Sequence, residues 1–124
     1  MYIIQRNNVI TLTRGDYLRF PVDMTMGQFP AIEKWVMEEG DLVIFSLMEY
    51  NQPFEKGIFQ KQYTYKDLDE NENLFVTILP EDTINLCPGT YYYSIKAIYN
   101  VSDGSDEDTH VDTLIQRTKF IIVD

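Results

Sequence analysis

An all-β sandwich is the fold this sequence predicts, and three observations carry it. Apolar and polar residues alternate in short segments, turn residues separate those segments, and the composition favours residues that fit a pleated surface. Seventeen aromatics (nine Tyr, seven Phe, one Trp) stand against one Cys and one His. A chain of 124 residues with 44% hydrophobic content fits one domain, residues 1–124. That length buries a core without covalent staples.

The elements follow in chain order. Residues 9–13 are rich in β-branched side chains and are closed by Arg14-Gly15-Asp16. A hairpin turn needs Gly there for positive φ, so the tripeptide reads as a turn and not as an integrin-binding motif. Leu18, Phe20 and Val22 then alternate with Arg19, Pro21 and Asp23. Pro21 has no N–H to give a ladder, which places this strand at an edge or at a bulge. Residues 42–50 carry Val43, Phe45 and Leu47 on one face and Ile44 and Met48 on the other, so this strand is expected to be covered on both sides. After the Asn51-Gln52-Pro53 turn, residues 58–65 form the return strand. A polar run, KDLDENEN, leads to a strand over 74–79. Residues 89–99 form the strongest strand, with Tyr91, Tyr93, Ile95 and Ala97 facing one way and Tyr92 facing solvent. The acidic segment 102–108 is expected to be a loop, and 111–123 a final strand or bent pair of strands.

Residues 24–39 fit two readings. Ile32, Trp35 and Val36 sit at helical spacing with Gly40 placed to cap them, or the segment is irregular or extended. The count is seven or eight antiparallel strands joined by short loops, the pattern of an immunoglobulin/fibronectin-III-like antiparallel β-sandwich.

Composition narrows the function classes. Twenty acidic residues against ten basic give a net charge of −10. Such a surface repels phosphate, so neither nucleic acid nor anionic membrane is an expected partner. One Cys rules out an internal disulfide, so folding does not depend on an oxidising compartment. The opening residues, MYIIQRNNVI, lack a basic n-region. No window approaches the ~18 apolar residues of a membrane span, and synthesis and folding in a cytoplasm are expected.

No catalytic, cofactor-binding or metal-ligating residue emerges. Cys87 lies on a connecting turn between Leu86 and Pro88. A nucleophilic thiol needs a nearby base and a lowered pKa, and the one His, His110, lies beyond the following strand and an acidic loop. Asp103, Asp106, Glu107 and Asp108 cluster, but Gly104 comes too early and no Glu closes a calcium loop of the EF-hand type. Asp67, Asp69, Glu70 and Glu72 read as a second solvated run. Tyr92, Tyr99 or Trp35 could stack on sugar rings, although strand packing and interfaces use aromatics equally.

The segment "NLCPGTYYYSI" resembles the E–F corner of fibronectin type III and related domains, where a tyrosine hydroxyl bonds the backbone upstream. The fibronectin pattern starts its inward set at Tyr92, whereas the alternation here favours Tyr91 or Tyr93 as the corner residue. More broadly, "TLTRGDYLRFPVDM", "EEGDLVIFSLME", "GIFQKQYTY", "ILPEDTINLCPGTYYYSIKAIY" and "DTLIQRTKFIIVD" resemble, in order, small phage and prophage proteins. These are the N-terminal domain of baseplate upper proteins and head-fibre or decoration proteins. The resemblance implies a non-enzymatic structural protein of a phage or prophage particle. Its partners would be other virion proteins or its own copies in a homo-oligomer, in a virion made in the bacterial host cytoplasm. The alternative is a module that binds carbohydrate or another cell-surface ligand.

Overall fold

The computed structural model describes residues 1–26, 33–103 and 106–124, with side chains outside positions 26, 33 and 100–108. The described residues form ten strands: β1 (Tyr2–Ile4), β2 (Ile10–Thr13), β3 (Leu18–Val22), β4 (Thr25–Met26), β5 (Glu33–Lys34), β6 (Leu42–Met48), β7 (Phe59–Tyr63), β8 (Leu74–Ile78), β9 (Gly89–Asp103) and β10 (Asp106–Val123). One short helix, α1 (Pro80–Thr83), lies between β8 and β9. A six-stranded sheet in the order β1-β2-β10-β9-β6-β7 makes one layer, and β3 paired with β8 makes a second.

The core lies where these layers face each other. Leu18, Phe20 and Val22 of β3 and Leu74, Val76 and Ile78 of β8 are buried on one side. Val43, Phe45 and Leu47 of β6, Tyr93, Ile95 and Ala97 of β9, and Phe120 and Ile122 of β10 meet them from the other. All of these sets have the period of two that a half-buried strand imposes. Tyr93 sits at the centre, stacked on Phe45 at 5.6 Å and edge-on to Phe120 at 5.9 Å and Phe20 at 6.3 Å. Pro21 is tolerated because β3 pairs only with β8 among the described strands, leaving its other side free of a ladder.

Three expectations are corrected, and the open choice over residues 24–39 falls to extended structure among the described residues. The strands number ten among the described residues, because β1, β4 and β5 are too short to leave an alternation signal. The large sheet is mixed, not antiparallel throughout, since β2 runs parallel to β10, Ile10 opposite Phe120 and Leu12 opposite Ile122. No helix forms over the described part of 24–39. Thr25 and Met26 pair with Lys34 and Glu33, and the Trp35 amide bonds the Met24 carbonyl at 2.7 Å. Ile32 lies outside the described residues. Finally, the acidic loop is shorter than expected, because β9 and β10 stay paired out to Asp103 and Asp106. Residues 104–105 and the acidic side chains lie outside the description, and with them the question of a calcium site.

The outer face of β6 is also covered, as residues 42–50 suggest, with Ile44, Ser46 and Met48 buried. Ser46 is buried and donates to the Phe54 carbonyl at 2.7 Å, so the turn after β6 folds back over its own strand. Gly57 makes that possible. A Cβ there would fall 2.4 Å from Ser46 Oγ and 2.5 Å from the Leu47 carbonyl oxygen.

Candidate interaction edge

β1 terminates the large sheet. It pairs with β2 on one side, with Tyr2 opposite Leu12 and Ile4 opposite Ile10, and with no described strand on the other. Its three residues are apolar and exposed, Tyr2 by 44%, Ile3 by 58% and Ile4 by 38%. The register also fixes which backbone groups are free. The Thr13 amide bonds the Met1 carbonyl at 3.0 Å, and the Gln5 amide bonds the Val9 carbonyl at 2.9 Å. Antiparallel ladders alternate, so residues 1, 3 and 5 point their amide and carbonyl at β2. Those of Tyr2 and Ile4 point away from the sheet. Apolar side chains beside unpaired backbone groups are what a further strand requires.

The edge is held rigidly to the core. The β1–β2 turn needs a left-handed residue, and Asn8 supplies it at φ 68°. Tyr93 then donates its hydroxyl to the Asn8 carbonyl at 2.5 Å. The centre of the core thereby fixes the turn that presents the edge.

A second surface lies on the outer face of the large sheet, where β10 is irregular. Its register against β9 shifts between Thr113 and Ile115 and again between Ile115 and Thr118. The bulged segment projects Arg117 across β9. Its guanidinium donates to the carbonyls of Glu49, Tyr50 and Gln52, each at 2.7 Å, and lies 5.2 Å from the Tyr92 ring. Beside it is a hollow of about 350 Å³ bounded by Met48, Phe54, Ser94 and Lys96. The Lys96 ammonium lies 4.5 Å over the Phe54 ring. Both cations are thus occupied within the fold.

The residues considered from sequence fall as follows. The Tyr91 hydroxyl donates to the Cys87 carbonyl at 2.6 Å, a bond to backbone just upstream, while Tyr93 is the core hub. Burial pushes the Tyr91 hydroxyl above its ordinary pKa, with the nearby Cys87 and Glu49 adding to the shift. Cys87 is exposed, and His110 stacks on Tyr99 at 5.6 Å. Ten residues of extended strand, ~33 Å, separate Tyr99 from Gly89 at the cysteine's end of β9. Arg14 is paired with Asp124 at 2.8 Å, and the Gly15 amide donates to Thr83 Oγ1 at 2.9 Å, so Arg14-Gly15-Asp16 is built into the fold.

Asp67 accepts from the Thr64 amide, and Asp69 accepts from those of Asn71 and Asn73, which makes both turn-formers. Trp35 packs against Tyr99 at 5.6 Å. Tyr92 has Tyr50 edge-on at 6.0 Å and Arg117 over its ring. Among the described residues, no group of three His, Cys, Asp or Glu is placed to hold a metal ion, and no helix is long and apolar enough to cross a membrane. The sequence reading missed β1 and Arg117. The first left a signal in Tyr2-Ile3-Ile4 followed by Asn7-Asn8; the second left none. Comparison with protein-family models, curated proteins and solved structures gives no match.

Proposed function

We propose that the chain is a non-enzymatic structural protein of a phage or prophage particle, an immunoglobulin-like module that works through protein–protein contacts. The observation that carries this reading is β1, an apolar edge strand with unpaired backbone groups, anchored through Asn8 and Tyr93 to the core. Monomeric β proteins blunt such edges with charge, proline or a bulge, and β1 has none of these between Tyr2 and Ile4. The immunoglobulin-like assignment draws support from the second layer of β3 and β8, from β9 and β10 at the middle of the larger sheet, and from the Tyr91 corner. The motif order described above supplies the particle context.

Quantitative mass spectrometry of density-purified particles from the encoding host tests the reading. A fixed copy number relative to the major capsid protein, retained through a high-salt wash, is expected. Its absence from purified particles overturns the assignment.

A further inference from the structure

Resting on that assembly reading, we propose that β1 pairs with β1 of a second copy, antiparallel about a two-fold axis through Ile3, joining two six-stranded sheets into one. The register makes the strand self-complementary. Only Tyr2 and Ile4 direct their backbone groups outward, and they flank Ile3 symmetrically. With Ile3 opposite Ile3 of the second copy, Tyr2 stands opposite Ile4. Each such pair exchanges both amide–carbonyl bonds, so every outward group between residues 2 and 4 finds a partner. The side chains agree, since Ile3 meets its counterpart on one face while Tyr2 and Ile4 meet on the other. A two-fold contact of this kind uses one patch on both subunits and closes without growing into a filament.

Charge singles out the same place. Residues 1–15 contain Arg6 and Arg14 and no acid, in a chain of net charge −10. The carboxylates nearest this edge are already paired within the fold, Asp16 with the Met1 ammonium and Asp124 with Arg14. In the paired register the two Arg6 residues lie about six residues apart along the strands, ~20 Å, beyond the screening length at physiological salt. Three residues a side bury less than a standard interface, so the dimer is weak and concentration-dependent in free solution.

Sedimentation equilibrium from tens of micromolar to millimolar protein, with two variants, tests the pairing. Ile4→Pro removes an outward amide while leaving the bonds to β2 intact. Ile3→Lys sets like charges directly opposite each other across the axis and touches only an exposed side chain. The full chain is expected to show a monomer–dimer equilibrium. Each variant should lose about tenfold or more in association constant while keeping its unfolding midpoint in dilute solution. A monomer at every concentration, or a dimer indifferent to both variants, overturns the proposal. Either result leaves the assembly reading standing if the chain has a fixed copy number in particles, with β1 then open to a strand of another protein.

Discussion

Tyr93 is where stability and the presentation of β1 meet in one side chain. Its ring fills the centre of the core and its hydroxyl holds the β1–β2 turn through Asn8. Burial pushes its pKa well above the ordinary tyrosine value, and burial leads the same upward shift at Tyr63. At Tyr99 the leading cause is the hydrogen bond to Asp112. The raised values fix the sign of the pH dependence. Below about pH 10 these hydroxyls keep their protons in both states, and the stabilisation is fully present. Above it the unfolded chain releases protons that the folded chain retains, so stability falls as pH rises. Urea midpoints should therefore stay level from neutrality to about pH 10 and then decline. Tyr93→Phe should cost about 1 kcal/mol at neutral pH, the net worth of a hydrogen bond, and make the alkaline decline shallower. An equally steep decline in the variant would remove Tyr93 as its main source.

Among the elements, β10 departs furthest from regularity, and its two register shifts have a specific product. They let Arg117 reach over β9 and fasten the turn after β6 by three carbonyls. Arg117→Ala should lower stability by about 1–2 kcal/mol and speed amide exchange at Gln52, whose amide bonds the Glu49 carbonyl. Arg117→Lys should recover little of this, because an ammonium cannot reproduce a planar fork of donors. Full recovery by Lys would mean that charge alone holds the turn. Legibility in the sequence divides along the same line. The inward sets of β3, β6, β8 and β9 could be read because each keeps a period of two against one core. The bulges could not, since they place Leu114 and Ile115 side by side as partly buried neighbours. Residues 24–39 imitated a helix because Trp35 and Val36 share a helical spacing with Ile32, whereas among the described residues Met24 and Met37 are buried in the core and Trp35 packs against it. The parallel pairing of β2 with β10 joins residues over a hundred positions apart, which no local pattern encodes. For the same reason β1 was visible only as a short apolar run. Its standing as an edge depends on the order of the whole sheet.

At the scale of the whole molecule, the net charge of −10 sets how copies meet. At low ionic strength the screening length is ~30 Å, comparable to a small domain, and two such chains repel whichever faces approach. At physiological salt it shrinks to ~8 Å, and only charges at the contact itself still count. The β1 contact is made of backbone groups and apolar side chains, and the nearest acids, Asp16 and Asp124, are paired with the Met1 ammonium and Arg14. Salt therefore removes the opposing term and leaves the attractive one. Association through β1 should strengthen as salt rises from about 0.01 M to 0.15 M. It should strengthen again as pH falls toward the isoelectric point near 4.4, where the repelling charge vanishes. An interface built on opposite charges does the reverse, weakening as salt screens its ion pairs. Sedimentation at two salt concentrations, with Ile4→Pro as the control, distinguishes the two. Strengthening that the proline abolishes locates the contact at β1, and weakening with salt would place it at a charged face.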